Sequence, residues 1–93
     1  MKSAYELAME RLEKAQPSVK LSEDQKNELA EIDERYRAKV AERELFLNEK
    51  IEEAQRDGAF EDAVQFERQL AADRKNLEAE REEKKQAVRE RSQ

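Results

Sequence analysis

The chain has 93 residues, 24 of them acidic and 19 basic, so 46% of it is ionised and the formal net charge is −5. It contains no Cys, His or Trp, a single Gly and a single Pro. That composition excludes thiol nucleophiles, Ser-His triads, zinc-finger ligand sets, disulfide frameworks and glycine-rich phosphate loops, and no run has the apolar length of a membrane span or a signal-peptide core.

An Ala/Glu/Lys/Leu/Arg-rich chain with almost no helix breakers has the make-up of long helices or coiled coils. High charge with few hydrophobes also describes disorder, but disordered chains are usually rich in Pro, Ser and Gly, and here the apolar residues recur at helical spacing. The expectation is a single all-α domain over residues 1–93.

Ser3 and Glu6 form a capping box, in which hydroxyl and carboxylate satisfy orphan N–H groups reciprocally. A short helix over 3–15 follows, with Tyr5, Met9 and Leu12 on one face. Pro17 lacks a donor and pushes Gln16 out of the helical region, so residues 16–21 read as a connection. Ser22 and Gln25 form a second capping box, with Glu23 and Asp24 in the first turn where the helix dipole favours acids. The helix it opens runs to residue 57, with a heptad-like seam of Leu29, Ile32, Tyr36, Val40, Leu47, Ile51 and Ala54. Arg43 or Glu44 puts charge in one layer of that seam.

Gly58, the only glycine, separates two strongly helical runs and is the expected left-handed residue of a tight turn over 57–59. The last segment, 59–91, carries Ala63, Phe66, Leu70, Leu77 and Val88. Beyond Leu77 it is nearly all charge. There a solvated helical face outweighs a tail gripping an acidic partner through Lys84, Lys85, Arg89 and Arg91, because acids are interleaved.

A register test supports a hairpin. Ala54 with Ala63, Ile51 with Phe66, Leu47 with Leu70, Val40 with Leu77, and Leu29 with Val88 are all pairs whose position numbers add to 117. The same register sets Arg43 against Arg74 and Glu44 against Asp73, a layer that cross-pairing of acid and base makes tolerable. It also sets Tyr36 against Arg81 and Ile32 against Lys85, leaving both apolar groups partly covered. Tyr5, Met9 and Leu12 match Tyr36, Ile32 and Leu29 in an antiparallel register of their own. The expected fold is therefore a long antiparallel, coiled-coil-like hairpin with the short N-terminal helix packed on its open base. The alternative cover for Ile32 and Tyr36 is a second copy of the chain.

Leu45, Phe46 and Leu47 are consecutive, and successive helical residues point about 100° apart. With Leu47 in the seam, Leu45 and Phe46 point elsewhere. On so polar a chain they read as a partner or dimer interface, against the plainer reading that one of them packs on the flank of the seam. Phe60, with Asp57 and Gly58 at the turn, reads as a plug beneath the tip.

Ile51-x-x-Ala54, Phe60-Glu61-Asp62-Ala63, Phe66 and Leu70 together resemble the UVR motif, a short helical hairpin found in nucleotide-excision-repair subunits and some protease-associated adaptors. The resemblance covers about 20 residues. It implies a hairpin that contacts protein, often by pairing with another copy. The motif's Arg-Asp pair is replaced here by Glu67-Arg68, so no partner specificity carries over.

The remaining chemistry is weighed against shape. Acid pairs such as Glu52-Glu53 and Glu82-Glu83 have no concavity to shift a pKa, and di-iron bundles need a Glu-x-x-His pair that a chain without His lacks. Nucleic-acid binding requires a basic stripe, whereas residues 22–57 sum to −5. The expectation is a non-catalytic protein–protein interaction module, self-associating as a homodimer, without cofactor, metal, small-molecule substrate, nucleic acid or membrane partner. A purely structural coiled-coil spacer is the alternative. With no Cys, the cytoplasm is the expected compartment.

Overall fold

The computed structural model describes residues 3–15 and 21–91, and the side chains of 3–9 and 21–91. Three helices follow one another: α1 Ala4–Ala15, α2 Glu23–Arg56 and α3 Phe60–Glu90. Helices α2 and α3 pack against each other along their length as an antiparallel hairpin. The two long helices begin and end within one residue of the bounds expected for them. The connection expected around Pro17 and the side chain of Leu12 fall outside the described residues.

The caps form where the side-chain chemistry allows. The Gln25 N–H donates to Ser22 Oγ at 3.1 Å, and the Ser22 N–H donates to Gln25 Oε1 at 2.9 Å, completing the box that opens α2. For α1 the Glu6 N–H donates to Ser3 Oγ at 3.2 Å. At the turn, Gly58 takes φ 73°. Its N–H donates to the Gln55 carbonyl at 3.2 Å and the Ala59 N–H to the Ala54 carbonyl at 2.8 Å. Those two bonds make a Schellman closure, which satisfies carbonyls the helix end leaves open.

The 117 register holds along the seam. Leu47, Leu70, Ala54, Ala63 and Val88 are buried, and Ile51, Phe66, Val40, Leu77 and Leu29 are half-buried beside them. The charged layer closes by cross-pairing. Arg43 Nε donates to Asp73 Oδ2 at 2.8 Å, and Arg74 Nε to Glu44 Oε1 at 3.2 Å. Such partly exposed pairs are each worth about 0–1 kcal/mol, so their main effect is to exclude neighbouring registers.

The open base differs from expectation. Tyr36 is only 2% exposed and Ile32 is also buried, in a cluster with Val88, Leu29 and Leu77. Neither the short helix nor a second chain supplies the cover. On α3 it comes from Val88 and Leu77, flanked by Arg81 and Lys85, which are half-buried and hold Asp33 on α2, with Lys85 Nζ at 2.9 Å from Asp33 Oδ1. The Tyr36 hydroxyl donates to Glu80 Oε2 at 3.4 Å, and Lys39 Nζ lies 4.8 Å from the centre of the Tyr36 ring. Long charged side chains cover apolar surface with their stems while their heads reach water or a partner. The expected packing of the first helix is corrected accordingly. Among the described residues α1 makes no contact with α2 or α3, and Tyr5 is 74% and Met9 42% exposed. Ile32 and Tyr36 are already covered without it.

Gln25 is the one buried polar residue among the described residues. Its Nε2 donates to the Val88 carbonyl at 3.0 Å and to the Arg91 carbonyl at 3.3 Å. One side chain thus opens α2 and closes α3. Gln25→Ala removes the hydrogen bonds at both ends of this clip and leaves the Val88 carbonyl with the Arg91 N–H alone, at 3.3 Å. We expect a loss of about 1–2 kcal/mol in urea unfolding and faster amide exchange over the last turn of α3. In the middle of the seam, Leu47→Ala or Leu70→Ala should cost about 2–5 kcal/mol. A loss near zero in the same titration would place these residues outside the core.

Candidate functional site

Leu45 and Phe46 sit on α2 between the charged layer and buried Leu47. Leu45 is 68% and Phe46 49% exposed, so neither packs into the seam. Counting about 100° per residue from Leu47, Phe46 lies on one flank of the hairpin and Leu45 faces away from α3. Phe46 has a cation on each side, with the Arg43 guanidinium 5.5 Å and Lys50 Nζ 5.8 Å from the ring centre. The ring is thus bracketed along the helix by charges one turn before and one turn after it, while its outer surface stays open.

At the tip, Asp57 caps α2, Gly58 makes the turn, and Phe60 opens α3. The plug expected of Phe60 is not formed. Its side chain is 67% exposed and, with Val64 and Arg68, lines a shallow surface depression. The Schellman hydrogen bonds and the small Ala54 and Ala63 close the tip, so no large side chain is needed beneath it.

The other flank of the hairpin carries an open groove of about 460 Å³, floored by Tyr36, Val40 and Leu77 and rimmed by charges that include Asp33, Arg37, Arg81 and Lys85. The hydrogen bond from Lys85 holds the Asp33 carboxyl below the usual carboxylate range, with the positive charges of Lys85, Arg81 and Arg37 adding to it against some desolvation. Asp73 is lowered likewise, by hydrogen bonds from Arg43 and then Gln69. Carboxylates held ionised by cations are poor proton donors near neutrality, so both act here as anchors between helices. Among the described residues no three acids gather to hold a metal ion, and no helix is long and apolar enough to cross a membrane.

Sequence reasoning placed Leu45, Phe46, Asp57 and Gly58 on the elements where they are found. It missed the Asp33–Lys85 pair, although those positions fall within one residue of the 117 register. It also missed the reach of Gln25, for which only the capping box gave a signal.

The two lowered carboxyls fix the sign of an acid response. A group whose folded pKa lies below its unfolded value contributes stability above the unfolded value and loses it as pH falls through the folded one. The melting temperature should therefore hold down to about pH 4, near the ordinary value of 3.8, and then fall as Asp33 and Asp73 protonate. In Asp33→Asn the drop on acidification should be shallower, while the starting value near pH 7 should be lower.

No protein-family model matches the chain, and no curated protein or solved structure is detectably similar to it.

Proposed function

We propose that the hairpin is a non-catalytic protein–protein interaction module that pairs with a second copy of itself through α2. The observation that carries this reading is the exposure of Leu45 and Phe46, two large adjacent hydrophobes on a helix otherwise dense in charge. A hairpin held by one seam has a small core, and a core of this size supplies only about 3–5 kcal/mol. Covering two further large side chains would add to it at roughly 25 cal/mol per Å² of apolar surface. A twofold contact is self-complementary, so one short patch on each chain is enough to build it. The resemblance of residues 51–70 to a hairpin motif that contacts protein agrees with this reading. A chain without cysteine also suits the reducing cytoplasm.

The spacer reading draws on length, since the 34 residues of α2 span roughly 50 Å at 1.5 Å each. A spacer has no use for Leu45 and Phe46 on its outer surface. Light scattering over a range of concentrations separates the two. Under the interaction reading the wild type rises above the 11.0 kDa chain mass as concentration increases, and Leu45→Glu/Phe46→Glu stays at it. A wild type fixed at the chain mass throughout would favour the spacer.

A further inference from the structure

The charges around Phe46 are antisymmetric at helical spacing. Three residues before it stands Arg43 and three after it Glu49; four before, Glu42 and four after, Lys50. Seven away the pair is Lys39 and Glu53, and eleven away it is Arg35 and Asp57. Offsets of three, four, seven and eleven all bring a residue back to the same face of a helix. This face therefore carries four bases and four acids around one aromatic ring, although residues 22–57 sum to −5. The excess acid of α2 lies on its other faces.

From this pattern we infer that a second copy of the chain docks antiparallel on α2 about a twofold axis at Phe46, ring against ring. In that arrangement a residue n positions after Phe46 meets the residue n positions before it on the second copy. Lys50 then meets Glu42 of the second copy, Glu53 meets Lys39, and Asp57 meets Arg35. The twofold repeats each contact. Lys39, Glu42, Glu53 and Asp57 are exposed, with Lys39 over its own Tyr36 ring, and Lys50 is half-buried with its head beside the Phe46 ring and 3.8 Å from Glu53 of its own chain. Arg43 is already hydrogen-bonded to Asp73 within its own chain, so Glu49 of the second copy would join an existing pair.

The opposite alignment fails on the same residues. A parallel pairing about Phe46 sets Glu42 on Glu42, Lys50 on Lys50 and Glu53 on Glu53, with like charges meeting at every turn. An unrelated partner has no need of antisymmetry in this chain, whereas a twofold axis requires it. The two aromatic rings supply the contact and the charges supply direction and register.

The inference rests on the self-association proposed above, and a charge-reversal cycle on the full chain tests it separately. Sedimentation equilibrium should give the wild type at twice the 11.0 kDa chain mass at high concentration. Glu42→Lys alone, or Lys50→Glu alone, places two like pairs across the axis and should weaken the dimer roughly tenfold. Glu42→Lys with Lys50→Glu restores opposite charges and should return the dissociation constant to within about threefold of wild type. Circular dichroism melts of the monomers report whether each variant keeps the hairpin. A wild-type dimer insensitive to either reversal, or single losses that the double variant does not recover, would overturn this arrangement while leaving self-association standing. A wild type that stays at chain mass would remove both.

Discussion

Gly58 sets the register on which every other contact depends. Its left-handed φ of 73° lets the chain reverse within three residues, and the hydrogen bonds from Gly58 and Ala59 back to Gln55 and Ala54 fix the angle at which α3 leaves. A Cβ at this position would meet no atom within 4 Å. Glycine is therefore demanded by the backbone conformation alone, not by crowding. Once the turn is closed, the position of each residue on α3 relative to α2 is decided. A slip by one residue would rotate every side chain by about 100° out of the seam.

Away from the tip the hairpin is held by a changing mixture of forces. Near Gly58 small apolar layers meet, Ala54 on Ala63, and then larger ones, Leu47 on Leu70. In the middle the layer is ionic, through Arg43 with Asp73 and Glu44 with Arg74. Toward the base α3 has few hydrophobes left; Val88 and Leu77 pack with Ile32 and Tyr36, and half-buried Arg81 and Lys85 beside them bind Asp33. The ion pairs add little energy individually. Their value lies in holding long stems over apolar surface, so that a segment almost all charge still buries an aromatic ring. Gln25 then closes the open end by donating to the Val88 and Arg91 carbonyls at the end of α3. The hairpin is thus tied at both ends by backbone-directed hydrogen bonds and filled between them by whatever each layer offers.

Much of this fold was legible in the sequence because its determinants are local or periodic. Capping boxes, a lone glycine and a seam with one register need no knowledge of the third dimension. The misreadings share a cause. Tyr36 and Ile32 were expected to need cover because Arg81 and Lys85 were treated as charges, not as stems carrying charges. That error generated a role for the first helix, whose Tyr5 and Met9 stay exposed. Phe60 was expected to plug the tip because a large residue beside a turn usually has something to fill; here its side chain stays 67% exposed and the buried layer at the tip is Ala54 and Ala63. Of the candidate surface, the presence of Leu45 and Phe46 off the seam was legible from three consecutive hydrophobes. The cations on either side of Phe46 became visible only once the ring had a position.

The charges on α2 divide by the direction they face. Those turned toward α3, Asp33, Arg43 and Glu44, find opposite charges on the other arm of the same hairpin, and they serve the fold. Those around Phe46 that α3 does not engage, Arg35, Lys39, Glu42, Glu53 and Asp57, are ordered about a point instead of along a register, an order that folding of the single chain does not require. Association of two copies brings together two net charges of −5, and that long-range repulsion opposes it. A local face with equal numbers of acids and bases reduces the repulsion where the surfaces meet, and within a screening length of about 8–10 Å in physiological salt only that face is felt. Salt therefore acts in two opposed ways on such a pairing, easing the approach of the whole chains and weakening the contacts at the face. In the proposed dimer the aromatic ring at the centre would be buried independently of screening, so its contribution would remain where both electrostatic effects are small.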